Sequence, residues 1–309
     1  MAASPGKALN LAFARARHTL FPIRAEKWLH LGFVAFLAGL GSGRIGGFNL
    51  QLPGPPSSGK SPFTTFRELL AEAERQAALH WEWIALVGGL AVTLGVAIGI
   101  AVLYVSSRGK LMFVESVIHD RWAVREPWAR LRAPAGDVFR VQLWIAIVGG
   151  VLTLSFVVAA AVLAWPDVRA GRFGASAIIG VLLMMPVVPI GIAVAVVQAL
   201  LDDFLIPLVY LDGLSVREAW HVFRRSLLPG NGGALVFFYL TKIVLGIALG
   251  VLVFFGTCLA CCVAGLPYVS SVVFLPVHVF WRGFSLHFLE ELGKSVFPPE
   301  PPPSAHEPA

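Results

Sequence analysis

Long, nearly uninterrupted apolar runs alternate with short basic segments along this chain. Most runs reach the ~20 residues that a helix needs to cross a hydrocarbon core of about 30 Å. In lipid only a helix or a closed barrel satisfies every backbone polar group, and these runs are too continuous for barrel strands. The pattern therefore predicts an all-α polytopic membrane protein. Six membrane helices are predicted, over about residues 28–41, 83–106, 139–165, 175–201, 234–264 and 268–288.

A short motif recurs just before three of these runs. Val-Arg-Glu-Pro-Trp at residues 124–128 returns as Val-Arg-Glu-Ala-Trp at residues 216–220, and a looser copy occupies residues 23–28. Asp120 and Asp212 precede the first two copies at the same spacing. The pattern predicts three hairpin repeats, each preceded by a cytoplasmic amphipathic elbow helix.

Composition and charge agree with the membrane class and predict an orientation. The chain is 57% hydrophobic and only 14% charged, whereas soluble domains carry about 25% charged residues. Of the 24 Lys and Arg residues, 17 fall at or near the side that holds both termini and the loops after the second and fourth spans, and 6 fall on the other side. Positive residues mark the cytoplasm. We therefore expect both termini to be cytoplasmic. Because no convincing cleavage site follows the first apolar run, the first helix is expected to be an uncleaved anchor.

The predicted domain organisation is a single six-span membrane domain over residues 1–292. Its longest loop, about residues 42–80, is expected outside, and its second half predicts a polar helix that starts at a capping box formed by Thr65 and Glu68. A Pro-rich, disordered cytoplasmic tail is predicted over residues 293–309. Residues 54–61 match a phosphate loop and residues 41–46 match a dinucleotide fingerprint. Prolines within the first match lack N–H groups, and the second follows a span rather than a strand, so neither nucleotide nor nucleic acid is predicted as a partner.

Ionisable residues near the spans define a candidate intramembrane polar site, because charges inside a membrane are costly and usually functional. Asp202 and Asp203 interrupt an apolar run, Lys242 stands two turns into the fifth span, and His278 and Arg282 lie on the sixth. Lys242 is expected either to pair with one of the two aspartates or to extend to the inner interface. Two interpretations remain open for these residues: a structural role, or a substrate path or proton relay.

The elbows predict interfacial helices. Ser215 and Glu218 form a capping box in the third elbow, and the spacing places Trp220 on its apolar face while the arginines point elsewhere. Two alternatives follow: connector helices that set the tilt of the spans, or binding of anionic lipid headgroups or a cytosolic partner. The interfacial elbow residues are Arg24, Trp28, Arg125, Trp128, Arg217, Trp220, Arg224 and Arg225.

The remaining candidates for special chemistry predict no cofactor and no metal. Cys258, Cys261 and Cys262 have no neighbouring His or carboxylate in the sequence, and small apolar residues in a helix explain them best. Pro186 and Pro189 predict a kink in the fourth span, which would free backbone carbonyls. No nucleophile elbow, zincin motif or paired-carboxylate arrangement is present in the sequence.

The segments Tyr-Val-Ser-Ser-Arg-Gly-Lys at residues 104–110, Phe-Pro at residues 21–22 and Asp-Phe-Leu-Ile-Pro at residues 203–207, together with the elbows, resemble a family of uncharacterised bacterial six-helix membrane proteins. These are similar to the membrane domain attached to some glycerophosphodiester phosphodiesterases. The resemblance covers about residues 20–290 and supplies no catalytic residues. It implies the six-span, three-hairpin architecture and a location in the bacterial inner membrane. We therefore predict a non-enzymatic membrane scaffold or accessory protein that contacts membrane lipids or an unknown protein partner. The alternative is a transporter or lipid-handling protein with a path between the hairpins.

Overall fold

The computed structural model of this chain describes residues 5–20, 25–40, 62–120, 124–170, 174–259 and 267–298. Every regular element in these ranges is helical and none is a strand, as the apolar runs predict. The helices are α1 (Pro5–Leu20), α2 (Ala25–Leu40), α3 (Pro62–His119), α4 (Arg125–Arg130), α5 (Arg132–Ala170), α6 (Ala175–Met184), α7 (Val187–Leu200), α8 (Ile206–Asp212), α9 (Val216–Val222), α10 (Gly232–Leu259), α11 (Pro267–Val273) and α12 (Leu275–Glu291), with π-helical turns over Leu201–Leu205 and Phe223–Leu227.

Four helical segments are long and apolar enough to cross a membrane, and most of their side chains are exposed. They correspond to the second, third, fourth and fifth predicted spans. The first and sixth predicted spans coincide with α2, which has 16 residues, and with α11 and α12, which are separated at Phe274. A 16-residue helix is about 24 Å long, less than the hydrocarbon core. The four segments are Leu79–His119, Arg132–Ala170, Ala175–Asp212 and Gly232–Gly256.

The chain divides into two compact units. The six-span domain over residues 1–292 and the tail after it stay predictions. Several sequence features lie outside the described residues: the tail beyond residue 298, the matches to a phosphate loop and a dinucleotide fingerprint, Cys261 and Cys262. The side chain of Cys258 is also outside the described part of the chain. The first unit contains Met1–Phe48, Leu103–Val141 and Ala199–Ala309, and the second contains Asn49–Val102 and Gln142–Gln198.

Small residues let helices of the first unit approach closely. Ala8, Ala12 and Ala16 recur every fourth position on one face of α1, and all are buried where α1 packs on α12. A Cβ atom on Gly109 of α3 would lie 2.6 Å from the backbone of Leu37 in α2. Only glycine fits such a contact without displacing the backbone.

In the second unit, a carboxylate from α5 caps the start of α6. Asp167, near the end of α5, is 3% exposed and accepts a hydrogen bond from the backbone N–H of Ala177 at 3.0 Å. This satisfies one of the N–H groups that have no helical partner at a helix start. A Cβ on Gly174 would lie 2.6 Å from the same carboxylate, so glycine leaves the room that the carboxylate fills.

Several local predictions can be compared directly with the helices. The capping box of α9 is confirmed: Ser215 accepts from the Glu218 N–H, and Glu218 accepts from the Ser215 N–H at 2.8 Å. The kink at Pro186 is confirmed, because α6 ends at Met184 and α7 begins at Val187. The capping box at Thr65 is wrong. The helix already begins at Pro62, where proline suits a first helical position because its φ angle is pre-set and its missing N–H needs no partner.

Candidate functional site

A π-helical turn over Leu201–Leu205 carries both aspartates of the candidate site. The Ile206 N–H bonds to the carbonyl of Leu201, five residues earlier. In that register the carbonyl of Asp202 would need the N–H of residue 207, which is a proline and has none. Arg282 of α12 donates to the Asp202 carbonyl instead. The wide turn thus creates an unpaired carbonyl, and a cation from another helix satisfies it.

The centre of the site is a closed triangle of side chains from three elements. Lys242 of α10 forms an ion pair with Asp203, and each side chain is 8% exposed. Lys242 also donates to the Ser285 hydroxyl of α12 at 2.9 Å, and that hydroxyl donates to Asp203 Oδ1 at 2.9 Å. Each of the three side chains contacts both of the others, and they come from the π-helical turn, α10 and α12. The triangle is therefore suited to holding these elements together.

Aromatic rings surround the triangle. The Lys242 ammonium lies 4.9 Å from the ring centre of Trp281 and 5.4 Å from that of Phe238, and cation–π attraction adds to its stabilisation. Rings that are fully buried keep water away, which strengthens the ionic contacts inside. The buried rings of this cluster are Phe204, Phe223, Phe238, Phe284 and Phe288, all less than 3% exposed.

A second ion pair lies beside the triangle. Lys110 of α3 donates to Asp202 Oδ1 at 2.7 Å; the lysine side chain is 6% exposed and the aspartate side chain 29%. With Arg282, three cations therefore face two carboxylates, so the cluster carries one net positive charge. Buried ion pairs repay their desolvation only with good geometry and further hydrogen bonds, and Ser285 supplies one of these.

The structure brings together four of the five residues predicted from the sequence. Of the alternatives for Lys242, the pair with Asp203 is confirmed. His278 lies one turn before Arg282 on α12 and is half-buried. The sequence pattern did not indicate Lys110 and Ser285 as members of the site. The second span was predicted to end near residue 106, which leaves Lys110 in a loop, whereas α3 continues to His119. Ser285 stands three positions after Arg282, on the same helix face.

The tryptophans of the elbows contact protein. The Trp28 Nε1 donates to the Leu20 carbonyl at the end of α1, at 3.2 Å. The Trp128 ring covers the guanidinium of Arg108 at 4.8 Å. Trp220 is 39% exposed and stacks on the buried ring of Phe223. These contacts favour the connector interpretation.

The elbow arginines in the described part of the chain face outward. Arg24 lies outside the described residues. The exposed arginines of the elbows are Arg125, Arg217, Arg224 and Arg225. In α9, the hydrogen bond from the Ser215 backbone, and secondarily that from the Ser215 hydroxyl, hold the pKa of the Glu218 carboxyl below its ordinary value of 4.5.

The chain belongs to a family of unknown function, DUF7544, whose model matches residues 4–292. The match covers the four apolar segments and the whole ionic cluster. No curated protein and no solved structure matches the chain. The description of this family mentions neither glycerophosphodiester phosphodiesterases nor a bacterial source, so that part of the resemblance stays an expectation.

Proposed function

We propose that this protein is a non-enzymatic membrane scaffold or accessory protein with six membrane helices in three hairpins, and that its ionic cluster locks the hairpins together. The observation that carries the proposal is the closed triangle of Lys242, Asp203 and Ser285, in which each charged group is buried and paired. A path for a solute needs polar groups left open to it. This triangle offers its polar atoms to one another.

The three-hairpin arrangement is supported by two ion pairs at matching places. Asp120 and Asp212, which precede two copies of the elbow motif, each accept a lysine. Lys27 contacts both oxygens of Asp120 at 2.9 Å, and Lys294 contacts those of Asp212 at 2.7 and 2.8 Å. A repeated unit that reuses the same closing contact explains both pairs.

The ionic cluster itself follows the repeat. Lys110 stands ten positions before Asp120, and Asp202 stands ten positions before Asp212. Arg282 stands ten positions before Leu292, where α12 ends and Gly293 takes a positive φ of 97°. Each hairpin thus contributes one charged residue at the same distance from its end, and the three residues meet.

The orientation and partners are proposed on the same basis. The excess of Lys and Arg on one side supports cytoplasmic termini, and the resemblance to bacterial six-helix membrane proteins supports a bacterial inner membrane. The exposed apolar faces of the four segments suit membrane lipid, and the exposed elbow arginines suit lipid headgroups or a protein partner. No catalytic role, nucleotide or nucleic acid is proposed.

A transporter or lipid-handling path is the second candidate. The π-helical turn favours it, because such turns occur frequently at functional sites, and so does the surplus positive charge of the cluster. A path requires Asp203 to exchange partners as the solute passes. A scaffold requires it to stay with Lys242.

One variant separates the two candidates. Asp203→Asn is reconstituted in vesicles beside the wild-type protein, and ion and proton flux is measured with entrapped dyes. The scaffold proposal expects no protein-dependent flux in either sample. Flux in the wild-type protein that disappears in a normally inserted Asp203→Asn variant would establish the path instead.

Reporter fusions test the orientation independently. Fusions at Pro62, Ala135, Asn231 and Ala309 are expected to report outside, inside, inside and inside. An outside signal at Ala135 contradicts the three-hairpin scheme, because it would place the second elbow on the wrong side of the membrane.

A further inference from the structure

Arg108 is a buried cation that the ionic cluster does not use. It lies on α3 and is only 6% exposed. Its guanidinium carbon is 4.7 Å from the ring centre of Tyr104 and 4.8 Å from that of Trp128, so two aromatic rings flank it. One terminal nitrogen donates to the Tyr104 hydroxyl. The Nε atom is buried and has no hydrogen-bond partner in the described part of the chain.

The positive charge of Arg108 is incompletely matched. Among the described residues, no carboxylate lies within ion-pair distance of its guanidinium. Aromatic faces stabilise a cation but offer no lone pair to the remaining N–H donors. An arginine in this position is therefore expected to find an anionic acceptor elsewhere. Lys110, two positions later, differs in this respect because it is paired with Asp202.

The surroundings of Arg108 indicate which anion. It follows the apolar stretch of α3, whose side chains are exposed, and Tyr and Trp rings concentrate at the level of lipid headgroups. The guanidinium fork matches phosphate oxygens with two parallel hydrogen bonds.

We infer that Arg108, framed by Tyr104 and Trp128, binds the phosphate of an anionic phospholipid headgroup. This inference rests on the proposed membrane location. It assigns to the second elbow a selective lipid site in which Arg108 supplies the donors, and Trp128 and Tyr104 fix the plane of the guanidinium.

The test is a lipid titration of the full-length protein in zwitterionic detergent, followed by native mass spectrometry. The probes are phosphatidylglycerol, phosphatidylcholine and inorganic phosphate. Wild-type protein is expected to bind phosphatidylglycerol on the order of fivefold more tightly than phosphatidylcholine, and Arg108→Gln should lose about that factor. Arg17→Gln, which removes an exposed arginine of α1 outside the elbows, should change the affinity by less than about twofold.

Three results would overturn the inference. One is equal phosphatidylglycerol affinity in the wild-type and Arg108→Gln proteins. Another is an equal loss in Arg17→Gln, which would mean diffuse attraction rather than a site. The third is competition by inorganic phosphate at the concentration of the lipid, which would assign the site to a free anion. If Arg108→Gln does not fold, Arg108→Lys keeps the charge without the fork and should still lose at least about twofold; unchanged affinity there also overturns the inference.

The membrane proposal fails separately. Wild-type protein that does not fractionate with membranes contradicts the proposed function. Membrane-inserted protein without Arg108-dependent lipid selectivity contradicts only the lipid site.

Discussion

Removing the charge of Asp203 is the most direct test of the proposal that the ionic cluster holds the helices together. In Asp203→Asn the Lys242 ammonium, whose side chain is 8% exposed in the wild-type protein, loses its counter-charge and keeps only uncharged partners: the amide oxygen, Ser285 and the neighbouring rings. Breaking one side of a buried ion pair costs about 3–5 kcal/mol, because the remaining charge has no partner. That range lowers the folding equilibrium constant by about two to three and a half powers of ten.

The assay compares unfolding in mixed micelles of the wild-type protein, Asp203→Asn, Lys242→Met and the double variant. Methionine is unbranched and fills much of the same volume, so the double variant should recover most of the loss, with a coupling energy of about 2 kcal/mol or more. Asp137→Asn is the matched control, since Asp137 forms an exposed pair with Arg140 that is worth about 0–1 kcal/mol. If Asp203→Asn lowers the free energy of unfolding by an amount within about 1 kcal/mol of the loss in that control, the proposed stabilising role of the ionic cluster is refuted.

Three further predictions follow from individual contacts and are measured in the same detergent system. Gly109→Ala places a methyl group 2.6 Å from backbone atoms of another helix and should lower the free energy of unfolding by about 1–3 kcal/mol. The control is Gly99→Ala, which has nothing within 4 Å and should be neutral or slightly stabilising. An equal loss of stability in both variants contradicts the close contact. Asp167→Ala removes the cap of α6 and should cost about 1–2 kcal/mol, with faster hydrogen exchange in the first turn of that helix as the local readout. Because the pKa of Glu218 is lowered, its hydrogen bond to Ser215 is fully present above pH 4.5 and is lost as the pH falls through the lowered pKa. A titration of the Ser215 amide resonance should show that loss only below pH 4.5. A titration midpoint above pH 4.5 contradicts the direction of the pKa shift.

The long spans were predictable because lipid imposes a strict rule on the backbone. An apolar run such as α10 has to satisfy its N–H and C=O groups within itself, so length and composition alone identify it. The capping box of α9 was predictable for a similar reason, since its two hydrogen bonds depend on residues three positions apart. Both features are local, and a single sequence contains the information they need.

The partners within the ionic cluster depend on helix rotation, which the sequence does not specify. Asp202 and Asp203 are adjacent, yet their side chains point about 100° apart on a helix, so one meets Lys110 and the other Lys242. The two aspartates interrupt the apolar run, but nothing in the sequence pattern specifies the π-helical turn that sets this rotation. Helix α1 was also missed, because alanines at every fourth position give a weak hydropathy signal even where they pack closely.

The exposure of the cluster explains why three cations and two carboxylates are tolerated there. The inner pair, Asp203 with Lys242, is sealed by rings and closed by Ser285, so its charges cancel where the dielectric is lowest. The outer aspartate, Asp202, is 29% exposed, so its pair with Lys110 lies closer to solvent, where charges are screened better, although the Lys110 side chain is itself only 6% exposed. Stability is therefore expected to depend mainly on the inner pair. Affinity for anionic lipid is expected to depend instead on Arg108, which lies outside the ionic cluster and is flanked by aromatic rings.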